Sequence, residues 1–353
     1  MLIEPVQPDG WSIVMRATLN DIAKRVGVSK SLVSMYLNNH KLSSKIAAET
    51  KSRIDVAVKE LDYRPSFTAR ALSNGKTRTI GIVCGGIKNP YFANLVEDAL
   101  DEAAKHGYQL ILGLTRWIPE EEENTVKNLL NRQIDGLICC IHPEENSKTY
   151  TMFRQSRIPI IRLSPSKDFP TVCADGNEAM EKAVAFLAER GHSRICGVFY
   201  EHSEWPEPFV EACKKAHVDS RLLPQNDSET DQYVKSFIRQ KETALIVNGA
   251  PPLLAALERH PDYRPDLIVG YDDYTMYSSL DRISGGIYTD SCEQIRIAVD
   301  LLINSLEHPS QAIPGKTGVH SLFLSRKEIE ARQNQSFGVL TPFPIYRKEQ
   351  EKK

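Results

Sequence analysis

Between Thr79 and about Glu330 the chain alternates short apolar runs with amphipathic segments, and this alternation restricts the fold more than any other feature. The apolar runs read as strands at Thr79–Val83, Gln109–Leu114, Gly136–Ile141, Ile158–Leu163, Val172–Ala174, Arg194–Phe199, Ala244–Val247 and Asp266–Gly270. Residues at helical spacing fall between them, at about Pro90–His106, Pro119–Gln133, Asn177–Arg190, Pro208–His217 and Pro251–Arg259. Parallel strands need long crossovers, and a helix packed on the sheet is the usual one. This order therefore predicts an α/β body of parallel sheets with right-handed connections. A later run at Gly285–Asp290, a helix at Glu293–Leu306 and a strand at Val319–Leu324 fit chain crossings between lobes.

The length of 353 residues suits two or three domains, and 41% hydrophobic with 25% charged residues is ordinary for a globular chain. No apolar run approaches the ~20 residues of a membrane helix. Met1 to Val14 lacks the basic start and clean apolar stretch of a secretory signal. The seven cysteines (Cys84, Cys139, Cys140, Cys173, Cys196, Cys213, Cys292) form no C-x-x-C pair and sit mostly in apolar runs. They read as buried thiols of a cytoplasmic protein, with no metal site and no cofactor expected. Charge is unevenly spread. From Arg16 to Arg78 thirteen Lys/Arg face five Asp/Glu, a net +8, so the rest of a chain of total charge −2 carries −10. A basic head on an acidic body is the footprint of a nucleic-acid-binding module joined to something else.

Within that head, Thr18 and Asp21 have capping-box spacing, and Leu19, Ile22, Ala23 and Val26 follow at helical spacing. Gly27 suits the left-handed helix end, Val28 staples the turn, and Ser29 can cap a second helix to about Asn38. Leu32, Val33, Tyr36 and Leu37 make its apolar face, leaving Lys30, Ser31, Ser34 and Met35 outside. A third helix, about Ala47 to Leu61, presents Ile54, Val58 and Leu61. Spacing alone fits either a plain helical hairpin or a DNA-reading helix-turn-helix.

The run Thr18-Leu19-Asn20-Asp21-Ile22-Ala23-Lys24-Arg25-Val26-Gly27-Val28-Ser29-Lys30-Ser31-Leu32-Val33-Ser34 closely resembles the start of lactose-repressor (LacI/GalR) family regulators. The pattern resumes at Leu61-Asp62-Tyr63-Arg64-Pro65 and Ala69-Arg70-Ala71-Leu72 and continues through most of the chain. The resemblance implies an all-α helix-turn-helix domain and hinge, followed by a two-lobed periplasmic-binding-protein-like domain with parallel sheets. It divides the chain into an extension (1–15) expected to be disordered, a DNA-binding domain (16–63), a hinge (64–78), an effector-binding and dimerisation domain (79–330) and a tail (331–353). Its first lobe would take about 79–191 and 293–307, its second about 192–289 and 316–330. Family members usually begin just before this threonine, which makes Met15 a candidate start.

Ser29, Lys30, Ser31 and Ser34 lie where the family's recognition helix meets phosphates and base edges, with Lys30 and Ser31 at its specificity-determining positions. Thr18, Asn38 and Tyr63 complete the expected contacts of the head. Met35 stands where many members carry Arg, which removes one guanine reader. In the hinge, Leu72 matches a leucine that wedges into the minor groove, and Ala69 the small residue that lets two hinges pack. A plain interdomain linker also suits this segment, given Gly75 and its polar surroundings.

Ligands of such folds sit at the carboxyl ends of the strands. Asn89, Tyr91, Phe92, Arg116, Trp117, Asp175, Trp205, Asn248, Tyr271, Asp272 and Asp273 occupy those ends, although each alone also reads as a loop residue. By resemblance, Asp175, Asn248 and Asp272 match family effector contacts. Gly249 replaces an acid, Trp205 falls where the cleft arginine lies, and Thr289 stands where a glutamine is frequent. These departures leave three readings open: a more apolar effector, a saccharide held by stacking, or no ligand. The expected partners are double-stranded operator DNA, a small-molecule effector such as a sugar or derivative, and a second copy of the chain through the Pro90–His106 helix. The expected function is a repressor without enzymatic activity. A transporter's solute-binding protein and a sugar-modifying enzyme share the two-lobed fold, but the basic head and the absence of G-x-G-x-x-G, Walker, H-E-x-x-H and G-x-S-x-G motifs count against them.

Overall fold

Thr18 and Gly27 set the limits of the first helix. In the computed structural model, which describes residues 17–38, 41–63, 75–88, 90–142, 144–199, 205–224, 229–248, 251–270 and 282–335, α1 spans Leu19–Val26. The Thr18 amide donates to Asp21 at 2.9 Å, the Asp21 amide donates back to the Thr18 hydroxyl, and Gly27 closes the helix at φ 75°. The Ser29 hydroxyl accepts from the Leu32 amide at 3.2 Å and starts α2, Lys30–Leu37. A 3-10 turn at Lys41–Lys45 leads to α3, Ala48–Glu60. Ile22, Ala23, Val26, Val33, Ile54 and Ala57 form the buried core of this head. Val58 and Leu61, expected to face it, are only partly buried, and Ala57 takes the central place because its small side chain lets α3 approach α1. Val28 is likewise only partly buried.

Residues up to Thr77 form one compact unit and Arg78 onward another. The second unit begins with β1 (Thr79–Cys84), α4 (Pro90–Lys105), β2 (Gln109–Leu114), α5 (Pro119–Asn131), β3 (Gly136–Cys139), α6 (Lys148–Gln155), β4 (Ile160–Arg162) and β5 (Thr171–Asp175). It continues with α7 (Asn177–Glu189), β6 (Arg194–Phe199), α8 (Pro206–Lys215), β7 (Asp219–Pro224), α9 (Thr230–Gln240), β8 (Ala244–Asn248), α10 (Pro251–Glu258) and β9 (Asp266–Gly270). β10 (Ile283–Thr289), α11 (Ser291–Glu307), β11 (Lys316–Ser325) and α12 (Arg326–Gln335) complete it.

The strands lie in the order β2-β1-β3-β4-β5-β11-β10-β9-β8-β6-β7. All neighbours are parallel except β10 and β11. β11 belongs to both halves: Lys316–His320 pairs with β5, and Ser321–Ser325 pairs with β10. Each half therefore repeats one doubly wound order, 2-1-3-4-5 and then 6-to-10 in the same pattern, which makes the body two-lobed. α11 returns to the first half, where Ile295, Ala298, Val299, Leu302 and Ile303 share a core with Ile80, Ile82 and Leu95.

Three expectations need correction. The first lobe does not run to residue 191: Ala179, Met180, Ala183, Val184 and Leu187 of α7 share a core with Ile195, Phe209 and Ile246, so the chain crosses between Asp175 and Asn177. The 316–330 segment is divided, because its first residues extend the first half. The tail starts later than 331, since α12 continues to Gln335 and its Ile329 is buried with Val247 and Leu267. β7, α6, α9 and α12 were not expected. The extension, most of the hinge with Ala69 and Leu72, and Asn89, Tyr271, Asp272 and Asp273 lie outside the described residues. No helix among the described residues is long and apolar enough to cross a membrane.

At the amino edge of the second half, Asp266 ties three segments together. Arg190 Nε donates to it at 2.8 Å, the Ser284 hydroxyl at 2.6 Å, and His192 Nε2 lies 2.7 Å away. Burial pushes this carboxyl up, but the bonds from Arg190, Ser284 and His192 outweigh it and hold the pKa at about 2. A carboxyl lowered on folding contributes stability above its unfolded pKa and loses it as pH falls through the folded value. Asp266→Asn is therefore expected to lose about 1–2 kcal/mol at pH 7, moderated by solvent at the partly exposed network. In urea titrations the gap from wild type should close between about pH 4 and pH 2.

Candidate nucleic-acid interface and ligand cleft

On the head, the exposed face at the start of α2 carries Ser29, Lys30 and Ser31, while Val33 behind them is buried. The amino end of a helix has unpaired amides and a partial positive charge, which suits a phosphate, and side chains of its first turn can reach base edges. Ser29 spends its oxygen on the Leu32 amide, which leaves its proton for an outside acceptor. Ser34 and Asn38 are partly buried and bonded to each other, Asn38 Nδ2 donating to Ser34 Oγ at 3.2 Å. Thr18 is exposed, with its hydroxyl donating to Asp21 at 2.7 Å, and Tyr63 packs against the head core.

Sequence reasoning missed the ties that orient this face. Tyr36 donates to Asp55 at 2.9 Å, and that bond pushes the phenol's pKa up, so the proton stays where the bond needs it. The Arg53 guanidinium also donates to the Val26 carbonyl, fastening α3 to the turn before α2. Neither long-range pair leaves a local spacing signal.

In the body the strand order reverses between β1 and β3 and again between β6 and β8, and the carboxyl edge there is where doubly wound sheets bind ligands. On the first half, Phe92 and Trp117 meet at 5.5 Å between ring centroids. Trp117 is 51% exposed, and its indole covers Gly85 so closely that a Cβ there would sit 1.9 Å from Cε2. Arg116 and Trp117 both hold left-handed backbone, φ 52° and 60°, which costs side-chain-bearing residues free energy and often marks functional turns. Arg116 turns toward Glu121, whose carboxylate oxygens lie 2.8 and 2.9 Å from Nη1. Behind this wall Gln294 is buried, accepting from the Tyr91 hydroxyl and donating to the Val172 carbonyl, both at 2.9 Å.

Asp175 is exposed at the first crossing, 3.4 Å from Asn177 Nδ2. Thr289 is buried and shares a 2.7 Å hydroxyl bond with Ser321 at the β11 crossing, a role that fastens two connecting segments. Asn248 is buried at the end of β8 beside Gly270. Trp205 departs from expectation. It is 3% exposed, covers Gly270, and lies 6.3 Å from Phe199, so its faces belong to the second core. Of these two tryptophans, Trp117 is the exposed one.

Among the described residues, Glu102, His106 and Asp300 form a cluster with ligating atoms within 4.8 Å of one another. Lys105 lies 2.5 Å from Glu102 and Arg296 3.1 Å from Asp300, so the cluster reads as an ion-pair network on the α4–α11 seam. Burial pushes Cys84 and Cys139 up to about 11 and Cys196 and Cys213 up to about 12, unlike reactive thiols.

A helix-turn-helix head joined in one chain to a two-lobed, doubly wound body defines a DNA-binding regulator with an effector-binding domain. Residues 18–66 match the bacterial regulatory proteins of the lacI family, and residues 77–206 match the periplasmic binding proteins and sugar binding domain of the LacI family. Catabolite control protein A of Staphylococcus aureus (strain MRSA252) is 31% identical over 237 residues, covering 64% of this chain and 71% of its own. The HTH-type transcriptional regulator YkvZ of Bacillus subtilis (strain 168) is 32% identical over 243 residues, covering 65% and 74%. The chain belongs to the LacI family of DNA-binding transcription regulators. Its fold matches the lac repressor dimer bound to operator and the anti-inducer ONPF, with a TM-score of 0.74 at 19% identity over 89% of this chain and 99% of that one. It also matches the Cra dual regulator of Pseudomonas putida in complex with fructose 1-phosphate, with a TM-score of 0.62 at 16% identity over 70% and 98%.

Proposed function

We propose that the protein is a cytoplasmic repressor that works as a homodimer, reads a near-palindromic operator with two copies of α2, and is switched by a small molecule between its lobes. The observation that carries this reading is the exposed Ser29-Lys30-Ser31 turn on a capped, separately packed head. One such helix reads a half-site, and a second copy related by symmetry supplies the other half. Leu100 on α4, 53% exposed, and Ile87 just before that helix, 42% exposed, supply apolar surface for that second copy. The lac repressor relative is a dimer on operator DNA, which supports the same arrangement here.

The ligand would meet Phe92, Arg116 and Trp117 on one wall, Asp175 at the crossing, and Asn248 on the other wall, with Asn89, Tyr271 and Asp272 completing the set. Closing the lobes on it shifts the DNA-competent population by the ligand's differential affinity for the two states. The protein acts by binding, without a catalytic step. Selection from random duplexes, followed by sedimentation of the complex, tests the reading. An enriched inverted repeat bound by two chains is expected, whereas no enriched sequence would return the body to solute binding. On that selected site, Leu72→Ala is expected to lower affinity about tenfold or more at fixed salt, with little change on random duplex, if Leu72 wedges into the groove. Equal operator affinity would return Leu72 to a linker role.

A further inference from the structure

We propose that the ligand of the first lobe carries an anionic group, a carboxylate or a phosphate, taken by Arg162. The inference deepens the ligand-cleft reading above and names a chemical class for the ligand. Arg162 ends β4 and is 6% exposed. Its Nη2 donates to the Ile141 carbonyl at 3.4 Å and to the Ser164 hydroxyl at 3.1 Å, and its buried Nε has no hydrogen-bond partner among the described residues. A guanidinium cannot shed its proton in a protein, so burial leaves it charged. A buried charge without a counter-ion is unfavourable, and two other buried charges among the described residues have one. Arg282, buried at 8%, pairs with Glu258 at 3.2 Å. Arg221 pairs at 3.2 Å with Glu242, which Arg194 also meets at 3.0 Å. Around Arg162 the groups bonded to the guanidinium are a carbonyl and a hydroxyl, both neutral.

The position gives the uncompensated charge a use. Arg162 and Ser164 stand at the carboxyl end of β4, and Ile141 lies just beyond β3, along the edge that a doubly wound sheet presents to ligands. The planar fork of a guanidinium matches a carboxylate or phosphate with two parallel bonds. The Ser164 hydroxyl can rotate to donate its proton to the same anion. A neutral polyol could also hydrogen-bond here, but it would leave the charge uncompensated.

The test is the thermal midpoint of the full-length wild type, Arg162→Met and Arg162→Lys, each alone and with glucose, glucose 6-phosphate, gluconate or inorganic phosphate. At least one anionic probe is expected to raise the wild-type midpoint by several degrees, because binding to the folded state stabilises it. Glucose should do much less, Arg162→Met should lose the shift, and Arg162→Lys should keep part of it. Inorganic phosphate separates a free anion from an anionic sugar: a shift with phosphate alone assigns the site to the free ion. Without any probe, Arg162→Met is expected to melt at or above wild type, since the change removes the charge and keeps the length. A clear fall in that midpoint would make Arg162 a structural strut and overturn the proposal. So would an anion shift that survives Arg162→Met, or an equal shift with glucose, which would still leave a ligand in the cleft. No shift with any anionic probe, while glucose or another neutral ligand releases operator, removes the anion and keeps the regulator. No shift with any probe and no ligand effect on operator binding removes both.

Discussion

Ile54→Ala is expected to abolish operator binding at 37 °C while leaving the main unfolding transition of the body in place. Ile54 is fully buried with Ile22, Ala23, Val26, Val33 and Ala57, and among the described residues those six side chains are the buried apolar core of the head. A domain this small buries too little surface to be more than marginally stable. Truncating a buried isoleucine costs about 2–5 kcal/mol because the lost contacts are joined by a cavity. That is comparable to the stability of the whole head. Affinity falls with the fraction of heads folded, so binding should disappear even though Ile54 lies behind the reading face. Calorimetry with fluorescence anisotropy checks this. A downward shift of both transitions together would mean that the head and body do not fold as separate units.

Lys30→Ala is expected to act by the opposite route, with the fold intact and the readout changed. Lys30 is exposed at the first position of α2, so its loss should alter stability by no more than about 0.5 kcal/mol. If it reads a base edge, as its place in the family's recognition helix implies, operator affinity should fall by about 1–3 kcal/mol, roughly 5- to 150-fold, with relaxed preference at one position of each half-site. If it meets only phosphate, affinity should fall evenly across sequences and the salt slope should drop by about one. Competition against single-base variants of the operator distinguishes the two.

Local chemistry made much of the head legible. Thr18, Asp21, Gly27 and Ser29 act within four residues of their partners, so their spacing survives in the sequence as a readable signal. The strand–helix alternation similarly exposed the body's parallel halves, because buried strands need continuous apolar runs. β7 escaped notice because it is an edge strand with exposed Asp219 and Ser220, and α9 because its buried face is reduced to Thr230, Val234 and Phe237. The lobe to which α7 belongs was not legible, since its apolar stripe fits either half and only packing decides. Trp205 illustrates the limit at the site. Its position after β6 suggested a ligand face, yet Gly270, a residue distant in sequence, supplies the flat backbone that buries its indole. Arg162 shows the converse. It reads as an interruption of an apolar run, and only its burial with no carboxylate bonded to the guanidinium among the described residues gives it meaning.

The central claim is that the head recognises a particular DNA sequence, and the ratio of two affinities tests it most directly. Anisotropy titrations of the full-length protein, at one physiological salt concentration, should compare the selected inverted repeat with a scrambled duplex of equal length and composition. A LacI-family operator reader is expected to prefer the repeat by about a thousandfold or more, with affinity for both duplexes falling steeply as salt rises. Equal affinity for the two duplexes would show that the basic head binds phosphate alone, and would contradict the account.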